Sequence, residues 1–281
     1  MSIWSRLPVS SSICTIAACV LAAAPAGAQT PDVVNGTLES RAATQPVARE
    51  IATITSRTSG PAWIGYAVPL NRADRETGCW AFDGFSGRAR VGPVKLESSE
   101  SIFVLYRIAD RSVQKVRIAS PECPLDAGGL TLYWLTGVRA TESIDWLETL
   151  ATGDTTRSLA NSATMAMALH ADRHATDRLI ALARDGRTSA VRGNALFWVA
   201  QRAGDRAVST ITQALDDPET EIRKKAVFAL SQLPKDEGVP KLIEVARSHR
   251  DAAVRKQAMF WLGQSKDPRA VQFFEEILGA K

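Results

Sequence analysis

Hydrophobic and polar positions follow two different periods along this chain. Between residues 29 and 140 the short period of a pleated strand dominates. Runs at 62–68, 88–96, 101–108, 113–118 and 130–135 are rich in apolar and β-branched residues, and turn formers such as Asn71, Asp83-Gly84 and Ala109-Asp110 separate them. The pattern predicts a β-rich unit whose last four runs form an antiparallel meander. Residues 33–42 read as one more strand and 47–56 as a short helix. From residue 141 the period lengthens: Ile144, Trp146, Leu147 and Leu150 supply the apolar positions of a connecting helix over 141–153.

Beyond it the chain repeats itself. Ala190-Val191-Arg192-Gly193-Asn194-Ala195-Leu196-Phe197-Trp198 aligns with Glu221-Ile222-Arg223-Lys224-Lys225-Ala226-Val227-Phe228-Ala229, and both align with Ala253-Val254-Arg255-Lys256-Gln257-Ala258-Met259-Phe260-Trp261. Each segment is followed by a turn and a second helical stretch, marked by Ala207-Val208, Gly238-Val239 and Ala270-Val271. A degenerate fourth copy comes first, with Ala163 and Ala175 in the places of Ala195 and Ala207, and Ala160 where the arginine would stand. Each pair has an apolar stripe, such as Ile222, Ala226, Ala229 and Leu230, that one pair cannot bury, so consecutive pairs must stack. The expectation is an α+β chain: a small β-rich domain at 29–140, the connecting helix, and an α-helical solenoid of about four helix pairs at 154–281.

The repeats resemble the HEAT family, in particular the short bacterial HEAT-like repeats first noted in phycobilin lyases. The resemblance rests on a Val/Ile-Arg pair, then Ala, then an apolar pair: Ile222-Arg223, Ala226, Ala229-Leu230, and again Val254-Arg255, Ala258, Trp261-Leu262. It covers about residues 155–281 and implies a HEAT-type solenoid; a fold of this kind does not fix a function.

The first 28 residues read as a leader: Arg6 is a basic start, residues 13–24 are apolar, and Ala26-Gly27-Ala28 is an A-x-A site, so the mature chain is expected to begin near Gln29. The apolar run is shorter than the ~20 residues a membrane span needs. Ile16-Ala17-Ala18-Cys19 resembles a lipobox, which makes a lipid anchor at Cys19 the rival expectation, but the run continues past Cys19 to the A-x-A site. An exported, periplasmic or otherwise extracytoplasmic location follows. Cleavage leaves Cys79 and Cys123, and a lone pair in an oxidising compartment is expected to form a disulfide; without a CxxC or a nearby histidine, a metal or reactive thiol pair is the weaker alternative. With 34 basic and 30 acidic residues the charge is nearly balanced, which argues against nucleic acid as a partner.

Candidate chemistry is sparse. His170 and His174, four apart, would share a helix face that could hold a metal, but the HADRH sequence lacks the HExxH glutamate, and the plainer expectation is solvated repeat-surface histidines. Arg192, Arg223 and Arg255 form a ladder by construction, expected to pair structurally with turn acids such as Asp185, Asp216 or Asp217. Trp63, Tyr66, Trp80 and Trp134 are expected to pack in the β-rich core. No serine sits in GxSxG and no phosphate loop appears. Catalytic residues, metal ligands and cofactors are therefore expected to be none. The leading expectation is a non-catalytic exported scaffold that holds a protein partner through Lys224, Lys225 and Lys256, with those of Trp198, Phe228 and Trp261 that are exposed. The alternatives are a lyase-like enzyme or chromophore-attaching factor, suggested only by the resemblance, and an envelope-stress or signalling component.

Overall fold

The computed structural model describes residues 29–71, 79–82, 99–153, 155–202 and 204–279. The leader with Cys19, the strand expected at 88–96 and the Asp83-Gly84 turn lie outside the described residues. Six strands form one mixed sheet: β1 (Val33–Ala42), β2 (Ala62–Pro69), β3 (Ala81–Phe82), β4 (Ser101–Ala109), β5 (Ser112–Ala119) and β6 (Leu125–Thr136), in the order β1-β6-β2-β4-β5-β3. Helix α1 (Val47–Arg57) connects β1 to β2. Strands β2, β4, β5 and β3 pair antiparallel, as hairpins and short connections favour.

The meander expectation fails at β6. Instead of lying beside β5, this strand crosses the sheet and inserts between β1 and β2, parallel to both. Burial explains the choice. Leu132 and Trp134 on one face of β6 and Leu135 on the other are all buried, so the strand needs neighbours on both sides and cover on both faces. Strand β5 alternates exposed and half-buried positions over its first half and suits a place near the edge. The Trp134 ring lies against Gly65 of β2, where an added Cβ would meet the indole Cζ3 at 3.0 Å and Leu105 Cδ2 at 2.6 Å, so only glycine admits the ring. Phe103 meets the same indole edge to face at 4.8 Å. A disulfide joins Cys79 to Cys123 next to the β3–β5 edge.

The other face of the sheet carries Ile64, Tyr66, Val104, Tyr106 and Ile118 into one continuous core with the helices. Helix α2 (Ala140–Thr152) starts the helical part. It is followed by four pairs: α3 (Arg157–Leu169) with α4 (Arg173–Asp185), α5 (Ser189–Arg202) with α6 (Asp205–Ala214), α7 (Thr220–Gln232) with α8 (Lys235–Ser248), and α9 (Ala252–Gln264) with α10 (Pro268–Gly279). The first helices α3, α5, α7 and α9 stack as one layer and the second helices form the other. Ala163, Ala195, Ala226 and Ala258 occupy the same place in the first layer and are fully buried, because a methyl there lets neighbouring helices approach closely. Thr156, Asp172 and Asp251 cap α3, α4 and α9 with their side-chain oxygens. The sheet is tied to the first pair through backbone: Asn71 N–H donates to Leu169 O at 2.8 Å and Ala171 N–H to Pro69 O at 2.9 Å. Among the described residues no helix is long and apolar enough to cross a membrane.

Candidate protein-binding face

Two of the three repeated arginines reach an acid of the following repeat, and the third bonds to its own loop. Arg192 binds the Asp217 carboxylate of the next repeat through both terminal nitrogens and reaches Glu219 Oε1 at 3.2 Å. Arg223 donates to Asp251 Oδ2 from Nε at 3.0 Å and from Nη2 at 2.6 Å, and its Nη1 donates to the Asp217 and Pro218 carbonyls. Arg255 repeats the second half of this pattern, donating to the carbonyls of His249 at 2.6 Å and Arg250 at 3.1 Å. Burial would raise the Asp217 carboxyl, but the hydrogen bonds from Arg192 and from the Glu219 N–H outweigh it and hold the group below the ordinary carboxylate range. The hydrogen bond from Arg223 lowers Asp251 in the same way. Of the acids expected as partners, Asp217 serves Arg192, while Asp216 instead faces Arg250 at 3.4 Å on the surface.

The two histidines do not share a helix face. Helix α3 ends at Leu169 and α4 begins at Arg173, so His170 and His174 fall on either side of a corner. His174 is partly exposed and its Nε2 meets Asp145 at 2.7 Å. His170 is fully buried rather than solvated. Its Nδ1 lies 2.7 Å from Ala166 O, and since a carbonyl only accepts, that nitrogen carries the proton. Nε2 therefore accepts from Ser143 Oγ at 2.8 Å, Ser143 Oγ accepts from Tyr66 at 2.7 Å, and Tyr66 accepts from Tyr106 at 2.6 Å. Four buried polar groups from β2, β4, α2 and the α3–α4 corner thus satisfy one another in one direction. Burial is the main force on the imidazole and pushes its pKa down to about 4. Ser143 and His170 have no exposed surface, so the pair offers a substrate no access. Among the described residues no group of three or more His, Cys, Asp or Glu is placed to hold a metal.

The outer side of α5, α7 and α9 is different. Phe197, Phe228 and Phe260 stand in the same register, and with the two tryptophans they form a continuous row: Phe197 stacks on Phe228 at 5.8 Å, Phe228 meets Trp261 at 5.0 Å, and Trp198 and Phe260 close the ends at 4.9 and 5.1 Å. Trp198, Phe228 and Trp261 are half-buried, whereas Phe260 is 53% exposed and is the ring that solvent reaches most freely. Four residues before Phe228 and Phe260 come Lys224 and Lys256, on the same side of their helices. Lys224 pairs with Glu221 at 3.1 Å. Lys225 and Lys256 are exposed and have no acidic partner among the described residues, and the Lys225 stem lies over Gly193 of the neighbouring helix. Four residues after each phenylalanine comes a glutamine: Gln201, Gln232 and Gln264. This row went unnoticed in the apolar pattern, although its nine-residue offset from each arginine is visible in the sequence. Gln201 and Gln264 are exposed and unbonded to any described residue, and Gln232 donates to Ser231 Oγ at 3.1 Å. The second-helix layer carries instead an open groove of about 800 Å³ between α6 and α8, lined by Val208, Thr212, Asp216, Asp236, Glu237 and Pro240.

Comparison with protein-family models agrees with the repeat architecture. HEAT repeats match residues 176–248 and 208–281. Among solved structures, the complex of CpcE and CpcF of phycocyanin lyase from Nostoc sp. PCC7120 is similar at 25% identity, over 45% of this chain and 86% of that one, with a TM-score of 0.33. An engineered protein is similar at 20% identity, over 50% of this chain and 73% of that one, with a TM-score of 0.30. No curated protein matches the chain.

Proposed function

We propose that the protein, a chain with HEAT repeats over residues 176–281, is a non-catalytic exported scaffold whose open face on α5, α7 and α9 holds a protein partner in the cell envelope. The observation that carries this reading is the aromatic row across three repeats, open at Phe260 and flanked by Lys225 and Lys256 without acidic partners among the described residues. A partly exposed cluster of rings with a charged margin is the composition of an interface centre and its rim.

Reversing Lys224, Lys225 and Lys256 to Glu in one variant should abolish crosslinking to envelope partners while leaving the circular dichroism of the chain unchanged, because all three lysines lie at the surface. A folded variant that recovers the same partners at the same yield removes this face from consideration. Export has its own test: N-terminal sequencing of mature material should start at or near Gln29, and an acylated Cys19 would replace a soluble scaffold with an anchored one.

A further inference from the structure

The last helix pair keeps an interior surface on its outward side. In the pair before it, Val239, Leu242 and Ala246 of α8 are buried, and α9 of the following pair packs against that helix. The same places on α10 are Val271, Phe274 and Leu278. Phe274 is half-buried, whereas Val271 and Leu278 are 54% and 76% exposed. A terminal repeat stays soluble alone by turning polar on the side that has no neighbour, and this one does not. The opposite end of the stack is covered, since the sheet packs on α3.

Arg255 shares this unfinished character. Arg223 donates from Nη1 to two carbonyls of its own loop, and from Nε and Nη2 to Asp251 of the next repeat. Arg255 makes the first half of that pattern, from Nη1 to the carbonyls of His249 and Arg250, and among the described residues its Nε and Nη2 donate to no acceptor. The loop thus holds the guanidinium as it holds that of Arg223, and leaves open the two nitrogens that take a carboxylate there.

The inner repeats show what fills this place. Glu219 and Asp251 are the N-cap residues of α7 and α9, and each binds the arginine of the preceding repeat, Arg192 at 3.2 Å and Arg223 at 2.6 Å. Three, seven and eleven residues after each acid come an apolar residue, an alanine and a leucine: Ile222, Ala226 and Leu230 on α7, Val254, Ala258 and Leu262 on α9, all buried. The first repeat is an internal control. It has Ala160 in place of the arginine, and the residue that stands ahead of α5 where the acid would be is Thr188. The acid is present where the preceding repeat has an arginine to receive it, and Arg255 is such an arginine.

We propose that the open end of α9 and α10 takes a helix of a partner protein that carries this signature: an acid at its N-cap, then an apolar, a small and a second apolar residue at the same three places. The acid accepts from Nε and Nη2 of Arg255, and the apolar side of the helix covers Val271, Phe274 and Leu278. An amphipathic helix laid into an apolar surface is a common form of recognition, and here the acid at its start fixes its direction and register. This end surface adds to the lysine-flanked outer face and does not require it.

The probe is a labelled synthetic peptide copying residues 250–265, which is α9 with its cap, read by fluorescence anisotropy against the purified full chain. Saturable binding is the expected result. Asp251→Asn in the peptide and Arg255→Ala in the chain should each weaken it at least tenfold, and the two together should weaken it no more than either alone. Val271→Glu/Leu278→Glu in the chain should abolish it while leaving circular dichroism unchanged, because both positions are exposed. Absence of saturable binding, equal binding by a scrambled peptide, or independent losses from Asp251→Asn and Arg255→Ala would overturn the proposal. Sedimentation of the chain alone checks for another occupant: a dimer that Val271→Glu/Leu278→Glu dissolves assigns this end to a second copy and overturns the partner helix as well.

Discussion

Helix α3 and the helices α5, α7 and α9 occupy the same layer and the same repeat register, yet their outer positions have opposite character. Where the later helices carry Phe197, Phe228 and Phe260, α3 carries the buried Met165; where they carry an arginine it has Ala160, and in place of the glutamine it has the buried Leu169. The difference comes from what lies against them. The sheet packs on α3 through β5, so its outer side has become core, and the polar groups trapped there, Tyr106, Tyr66, Ser143 and His170, have to satisfy one another. On α5, α7 and α9 nothing in the described chain covers the equivalent side, and its polar groups are left to solvent or to a partner. A repeat thus keeps its inner alanine and changes its outer row according to its neighbour.

The largest expected effect breaks the covered side with acid. His170 has a folded pKa near 4 against an ordinary value of 6.5, so below pH 6.5 the unfolded chain takes the proton and the folded chain does not. Stability from this group is complete above pH 6.5, falls as pH drops towards 4, and is constant below; the loss amounts to about 3 kcal/mol at about 1.4 kcal/mol per unit. Urea unfolding across this range should show the slope, and His170→Gln, which cannot charge, should flatten it relative to the parent. A parallel slope in both proteins would remove the imidazole as its cause.

A smaller contrast lies within the ladder. Arg192 is mostly buried and binds Asp217 in the next repeat, so Arg192→Ala should destabilise by about 2 kcal/mol, the scale of charged hydrogen bonds lost with a half-buried carboxylate left behind. Among the described residues Arg255 is bonded only to carbonyls of its own loop, and Arg255→Ala should cost about 1 kcal/mol. Equal losses would mean that the inter-repeat bond adds nothing. The smallest effect belongs to the open side: the Gln201→Ala/Gln264→Ala double variant should change unfolding by less than about 0.5 kcal/mol per site, which would leave any change in binding attributable to the face itself.

The repeat phase was legible in the sequence because stacking imposes the same arginine and alanine on every unit, and two positions in each unit suffice to set the register. Strands β1, β2, β4 and β5 were legible for a local reason, since side-chain alternation and turn residues define each of them alone. The place of β6 was not, because a strand's neighbours are chosen by which faces must be covered, and the burial of Trp134 against Gly65 is a contact between distant segments. His170 was misread for the same reason: nothing in HADRH records that a serine from α2 and two tyrosines from the sheet converge on it. The glutamine row was written in the sequence at a constant offset, but polar residues carry no hydrophobic period, and only the stacked helices reveal that they share a side.

The position of β6 also sets an order of assembly. Val33 pairs with Leu125 and Ala42 with Thr136, so the first strand of the sheet must wait for its partner until the rest of the sheet-forming chain has been made. Each helix pair, by contrast, closes over a few tens of residues and can form as soon as its neighbour exists. Closing a long loop costs more chain entropy than closing a short one, and long-range pairing slows folding accordingly. During that interval β1 presents unpaired backbone along both edges, while the finished sheet covers one of them. The N-terminal unit is therefore the slow part of this protein to build, and the repeats, although they come last in the chain, are the part that needs least of it to fold.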